Sequence, residues 1–394
     1  MSGIEAKKLK ICHVITRMIV GGAQENTFLS VVGQREAGHD VILATGPSEG
    51  REGDLLDAWR ETAIPVVKIP TLCREVSPWR DLISFWRLFC YFRREKFDVV
   101  HTHSAKAGII GRFAAFCAKI PVVVHTNHGQ PWSPRDSVRR KKFYVALEKA
   151  AARVSHRIYA VAQAMVDECV ALGIAPREKF RVVYSGMAIE KFLNARRDAA
   201  LRATLGIPEK ARVIVTLARL SPLKGYEFIP DAFIETAKKF PDLHLLILGD
   251  GAMREEVAAK IAAADLTKHV HFAGLIAPQE VPEYLAQGDL LWHLSLREGL
   301  PRSAVQALGV GIPVVGFALD GTPEVVLNRE TGFCVAPEAV AEVVAATVKL
   351  FEDPALMREM GQNGQKLVAA RFDWRQMAQI LADDYEKLRL HKTP

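Results

Sequence analysis

Short runs of apolar, mostly β-branched residues recur along the chain, separated by segments whose apolar positions repeat every three to four residues. The runs predict strands at 10–16, 41–45, 66–69, 99–103, 122–126, 157–161 and 181–184. After a pause they resume at 213–218, 243–249, 270–272, 290–294 and 313–316. The intervening patterns, among them 23–37, 79–95 and 106–119, predict amphipathic helices. Strands apolar throughout are buried on both faces, which implies parallel sheets covered by helices. Two such series predict an α/β chain of two doubly wound, Rossmann-like domains facing one another across a cleft. The boundaries are 1–190 for the first, 195–372 for the second, and 373–394 for a terminal helix crossing back to the first.

Length and composition agree with that division. The 394 residues exceed what one core usually organises, and 49% hydrophobic with 25% charged suits a globular protein. The longest apolar stretches, such as 120–124 and 243–248, fall far short of the ~20 residues that span a bilayer. Lys7, Lys8, Lys10 and Arg17 bracket only a short apolar run, so no signal peptide is expected and the chain is read as cytoplasmic. Six cysteines stand in apolar surroundings without any CxxC pair, which predicts buried, reduced thiols and no zinc site.

The net charge of +7 points to an anionic partner. Arg135, Arg139, Arg140, Lys141 and Lys142 run into Phe143, Tyr144 and Val145. Such a segment fits either the inner face of an anionic membrane, with the protein peripheral on it, or a solvated helix face whose apolar side packs inward. No nucleic-acid signature accompanies the charge, and nucleic acid is not an expected partner.

The residues suited to chemistry lie just after strands, where open parallel sheets bind ligands. Gly21 and Gly22 precede a helix, and paired glycines let backbone N–H groups approach a phosphate, although a plain tight loop reads the same way. Arg219 and Lys224, five residues apart before Gly225, suit a diphosphate as fork and point charge, or are two solvated loop charges. The most informative segment runs Ser295-Leu296-Arg297-Glu298-Gly299-Leu300-Pro301, then helical residues including Gln306. Pro301 near the first helical turn sets Glu298 at the mouth of the crevice. Gly311-Ile312-Pro313-Val314-Val315 and Gly321-Thr322-Pro323-Glu324-Val325-Val326 follow.

Together these segments resemble the signature of family 4 retaining glycosyltransferases with the GT-B fold. Their pattern is E-G-x-P with a second acidic residue eight positions after the first, then G-x-P-V-V and G-x-P-E-V-V. Gly21-Gly22-Ala23-Gln24, the strand at 98–103, Val183-Tyr184-Ser185-Gly186 and the loop from Arg219 to Gly225 match in the same order, so the resemblance spans residues 9–372. It implies a transferase that moves a sugar from a UDP- or GDP-sugar to a glycan or lipid-linked acceptor, in cell-envelope or exopolysaccharide synthesis. It further implies that Gly21 and Gly22 approach the donor diphosphate and that Arg219 and Lys224 neutralise it as it leaves. Glu298, with Gly299 and Leu300, would meet the donor sugar, position 306 the ribose, and His128 the transferring sugar. The second acidic position holds Gln306, whose amide keeps the hydrogen bonds but forgoes the charge-assisted one.

Departure of a diphosphate needs positive charge at the leaving group. The sequence has no Asp-x-Asp, so cations and helix N-termini are expected to serve without a metal, and no cofactor is expected. His101 and His103 share one strand face, with His125 and His128 near the next strand end; lacking acidic or cysteine partners, all but His128 are expected to be polar packing at the crevice rim. Lys106 and Arg112, near a helix start in the first domain, are candidates for an acceptor phosphate. Two alternatives remain: a nucleotide-sugar 2-epimerase, which would need no acceptor, and a nucleotide-sugar-binding pseudoenzyme, suggested by Gln306.

Overall fold

A computed structural model describes residues 8–48, 53–60, 62–132 and 136–390. The chain divides into two compact units, Met1–Met187 with Trp374–Pro394, and Ala188–Asp373. Each is built on one parallel sheet.

The first sheet has seven strands: β1 (Lys10–Ile15), β2 (Asp40–Thr45), β3 (Val66–Lys68), β4 (Val99–His103), β5 (Val122–Asn127), β6 (Arg157–Ala160) and β7 (Phe180–Val182). Their order is β3-β2-β1-β4-β5-β6-β7. On one face Cys12, Val14, Val100 and Val123 pack against Leu88 and Phe92 of helix Pro78–Glu95 and Ala107, Ala114 and Ala115 of helix Ala105–Cys117. Each large apolar side chain buried this way contributes about 1.5–3 kcal/mol. Elsewhere in the unit, helix Gly22–Glu36 packs on the terminal helix Trp374–Leu390. A Cβ on Gly33 would lie 2.5 Å from that of Ala378, so only glycine permits this approach.

The second sheet has six strands: β8 (Arg212–Leu217), β9 (Leu243–Leu248), β10 (Val270–Gly274), β11 (Leu290–His293), β12 (Val314–Phe317) and β13 (Gly332–Val335), in the order β10-β9-β8-β11-β12-β13. Its core joins Ile214, Leu245, Ile247, Trp292 and Phe317 to Phe233, Val343 and Leu350. The buried indole of Trp292 donates to Thr347 Oγ1 at 2.9 Å, which removes the cost of hiding its N–H. Strand β13 has no counterpart among the expected strands. Its four residues carry too little pattern alone, and pairing on β12 from Val314–Gly332 to Phe317–Val335 extends them.

The cysteines differ from expectation. All six are free, but only Cys12 and Cys169 are buried; Cys90 and Cys117 are exposed, on helix faces turned away from the sheet. Among the described residues no helix is long and apolar enough to cross a membrane.

Candidate functional site

In the second unit the chain reverses its direction of growth between β8 and β11, neighbours in the sheet. The loops at the carboxyl ends of such strands form the ligand crevice of open α/β sheets. Here the two loops are fastened together. Leu296 N–H and Ser295 Oγ both donate to the carbonyl of Leu223, at 2.9 and 3.0 Å. Gly225, at φ +89°, runs so close to β11 that a Cβ would stand 2.6 Å from the carbonyl oxygen of Leu294. Leu223 adopts φ 71°, a left-handed conformation that costs a non-glycine residue about 1–3 kcal/mol. Its N–H donates to Glu227 Oε1 at 2.8 Å, which holds it there.

This fastening brings Lys224 Nζ to 2.6 Å from Glu298 Oε1 and 3.3 Å from the carbonyl oxygen of Arg297. Both side chains are partly exposed. The Glu298 N–H donates to Asp320 Oδ2 at 2.7 Å, tying in the loop after β12. Arg219 stands exposed earlier on the same β8 loop. Gly299 is half-buried and Leu300 buried in the turn before helix Arg302–Val310, on which Gln306 is half-buried. Pro301 caps that helix.

His293 went unnoticed in the sequence. It ends β11 with Nε2 3.9 Å from Glu298 Oε1 and Nδ1 3.1 Å from Ser303 Oγ. Burial pushes its pKa down although Glu298 pulls it up, which favours the neutral ring, and its buried Nε2 has no hydrogen-bond partner. Its place as the last residue of an apolar strand, just before the loop, was the available signal.

The first unit holds a different constellation. Gly21, in extended conformation, caps helix Gly22–Glu36, and both glycines are half-buried. His128 follows β5 in a turn where Gly129 N–H donates to Asn127 Oδ1 at 3.1 Å. Its Nε2 lies 3.0 Å from His103 Nδ1, and His103 Nε2 lies 2.9 Å from His13 Nδ1. His13 Nε2 is 2.8 Å from Gln34 Oε1. His101 joins Tyr385 OH at 2.5 Å through Nδ1 and Thr126 Oγ1 at 2.6 Å through Nε2.

Sheet register explains the cluster: His13 pairs with His101, and the two-residue period puts His103 on the same face. His125 points the other way, 3.0 Å from Thr102 Oγ1. The expectation of polar packing at a rim is therefore corrected for His101, His103 and His125, which are buried in the interior. Burial lowers the pKa of His13 to about 4 and holds those of His101, His103 and His125 well below the usual range. Among the described residues, His13, His101 and His103 are the one group placed to hold a metal, with ligand-capable atoms within 4.8 Å. Their ring nitrogens are all engaged in the hydrogen bonds above.

The two residues proposed for an acceptor phosphate fare differently. Lys106 Nζ reaches Asp81 Oδ1 at 2.5 Å and the carbonyl oxygen of Glu75. Arg112 is fully buried, donating to the Gly108 carbonyl at 2.7 Å and to Glu148 Oε2 at 2.8 Å. A guanidinium committed to bracing two helices does not meet an acceptor, which corrects that expectation for Arg112.

Of the basic segment, Arg135 lies outside the described residues. Arg139, Arg140, Lys141 and Lys142 occupy the start of helix Val138–Arg153, with Phe143 60% exposed rather than packed inward. Two helices away in the same unit, Trp79 and Trp86 are 73% and 54% exposed beside exposed Arg80 and Arg87. Helix Ala105–Cys117, bearing exposed Phe116, packs against both.

Residues 21–186 match the family described as glycosyl transferase 4-like domain, and residues 198–367 match glycosyl transferases group 1. A UDP-Gal:alpha-D-GlcNAc-diphosphoundecaprenol alpha-1,3-galactosyltransferase of Escherichia coli is 28% identical over 89% of both chains. The capsular polysaccharide biosynthesis glycosyltransferase CapM of Staphylococcus aureus is 24% identical over 90% of each. Among solved structures, Anabaena HepE in complex with UDP superposes with a TM-score of 0.81 at 22% identity, covering 96% of this chain and all of that one. A sucrose-phosphate synthase from Thermosynechococcus elongatus gives 0.82 at 18% identity, covering 98% and 100%. With both halves matched in order and each on its own parallel sheet, this chain belongs to the 4-like, group 1 glycosyltransferases and has their GT-B fold.

Proposed function

We propose that the chain is a retaining, metal-independent transferase that moves a hexose from a UDP-sugar to a diphosphate-linked lipid glycan. The observation that carries this reading is the pairing of Lys224 with Glu298 at the carboxyl ends of β8 and β11. A nucleotide sugar has its diphosphate and its sugar joined at one C1–O bond, so a cation for the first and a carboxylate for the second must stand side by side. Arg219 adds a second cation on the same loop, and Gln306 receives the ribose. The relatives support the substrates: one is named for UDP-Gal and a diphosphoundecaprenol acceptor, another for capsule synthesis. Products named alpha support retention.

In the reaction, the C1–O bond breaks with its electron pair passing to the diphosphate. Lys224 and Arg219 stabilise the charge that develops there, without reorganising as it forms. The acceptor hydroxyl oxygen bonds to C1 on the same face, and its proton passes to the departing phosphate oxygen. Glu298 orients the donor sugar through its hydroxyls, and His128, in the first unit, hydrogen-bonds the reacting sugar. Gly21 and Gly22 offer backbone N–H groups to the diphosphate. Because this charge is met by side chains and amides, EDTA should leave the rate unchanged.

The exposed Trp79, Trp86, Phe116 and Phe143 with their neighbouring arginines and lysines support peripheral binding to an anionic membrane, where a lipid-linked acceptor resides. Lys106 is retained as a candidate for the acceptor phosphate, with Asp81 as its resting partner.

The test is incubation of the purified protein with UDP- and GDP-sugars, with and without an undecaprenyl-diphosphate-linked acceptor. Transfer from a UDP-sugar only when acceptor is present is the expected result. Conversion of the nucleotide sugar without acceptor would instead mean an epimerase, and donor binding without turnover a pseudoenzyme.

A further inference from the structure

The three histidines His128, His103 and His13 form one continuous hydrogen-bonded chain that ends on a side-chain amide, Gln34. A neutral imidazole has one donor nitrogen and one acceptor nitrogen, so a chain of them can point only one way at a time. Burial keeps His13 and His103 neutral, which meets that condition. The direction is then set at the closed end. Gln34 presents its carbonyl oxygen to His13, so Nε2 of His13 carries the proton and Nδ1 accepts. His103 therefore donates from Nε2 and accepts at Nδ1, and His128 donates from Nε2. In the neutral His128 ring this places the proton on Nε2 and the lone pair on Nδ1.

The amide is held in this orientation from its other end. Its Nε2 donates to Tyr385 OH at 3.3 Å, and that hydroxyl in turn donates to His101 Nδ1. His101 completes the sequence by donating from Nε2 to Thr126 Oγ1. Each contact in the sequence thus pairs one proton with one lone pair. Turning the Gln34 amide end for end would reverse each bond and move the proton of His128 from Nε2 to Nδ1.

We propose that Gln34, His13 and His103 are positioning residues that fix the tautomer of His128, with Tyr385 of the terminal helix locking the Gln34 amide. The proposal rests on the reading of His128 as a group that meets the reacting sugar, since the tautomer decides whether its Nδ1 accepts from a hydroxyl or donates to an oxygen. It also gives the terminal helix a role: a residue late in the chain sets the protonation pattern of a ring in the first unit.

The experiment reads the ring nitrogens directly. In full-length protein labelled with 15N-histidine, long-range 1H–15N spectra at pH 7.5 should show His13, His103 and His128 all protonated at Nε2. Gln34→Met removes the terminal acceptor, and Tyr385→Phe removes only the hydroxyl that locks the amide. Both should convert His128 to a mixture of tautomers, with kcat falling about tenfold while the KM for donor is unchanged. His13→Gln preserves acceptor and donor in the same order and should keep the His128 signal and kcat. The proposal is overturned if His128 keeps its Nε2 proton in both of the first two variants. It is equally overturned if the purified chain carries stoichiometric zinc on His13 and His103, because the metal would replace the bond between them. If His128→Ala retains full kcat while the tautomer responds as described, the reading of His128 fails and the chain of positioning residues stands.

Discussion

The two candidate constellations, one in each unit, treat their polar side chains in opposite ways. In the first, His13, His101 and His103 are fully buried and every ring nitrogen is spent on another protein group. In the second, Lys224 and Glu298 remain partly exposed and spend their charges on one another. A buried neutral network specifies geometry, because each member has to be satisfied and only a few arrangements satisfy all of them. A half-exposed ion pair contributes little stability and can exchange partners when a ligand arrives. The first is suited to holding a ring still, the second to gripping and releasing a charged substrate.

Removing the carboxylate tests the second constellation most directly. Glu298→Ala should lower kcat by about 10²–10³, as loss of a transition-state contact does, with little change in thermal midpoint. A large fall in stability with unchanged kcat would mean that the pair is structural. Next comes acid. The folded pKa of His13, about 4, lies below the ordinary 6.5, so the unfolded chain takes up the proton first as pH falls. Stability from this residue is intact above about pH 6.5 and lost on the way down to about 4, close to 3 kcal/mol in all. Urea unfolding across that range should show the slope, and His13→Gln should reduce it, the remainder coming from the buried His101, His103 and His125; a wild-type profile without slope would contradict burial of neutral rings.

Lys224→Met should raise the KM for donor about ten- to a hundredfold, the worth of a hydrogen bond to a charged group, and double substitution with Arg219→Ala should add to it. Steady-state kinetics with a UDP-sugar decide this, and unchanged KM would remove Lys224 from the donor site. Gln306→Glu restores a charge-assisted bond and should tighten donor binding by about 1 kcal/mol, measured by calorimetry. The smallest expected effect is on stability in Trp86→Ser, within about 0.5 kcal/mol for so exposed a site. Flotation with anionic vesicles should nonetheless weaken, and undiminished flotation would count against the membrane face.

The alternation of buried runs and helical periods was enough to locate twelve of the strands, because strands covered on both faces carry unbroken apolar runs. It missed β13, whose four residues become a strand only by pairing with β12. The candidate segment around Glu298 stood out because glycine, proline and an acidic residue occupy a short stretch of chain between a strand and a helix. His13 was not, since a lone histidine in an apolar run has no local signature. Arg112 misled for a similar reason: sequence reports its charge but not Glu148, 36 positions away, which consumes it.

The layer architecture and the order of the candidate loops were already set by local periodicity and turn residues. Tertiary structure decided which groups meet. Lys224 reaches Glu298 only because Leu223 is fastened to the β11 loop, and Gln34 meets Tyr385 only because the terminal helix packs on Gly33. Contacts between residues 74 or 351 positions apart depend on how sheets register and helices stack, and no short window of sequence contains that information.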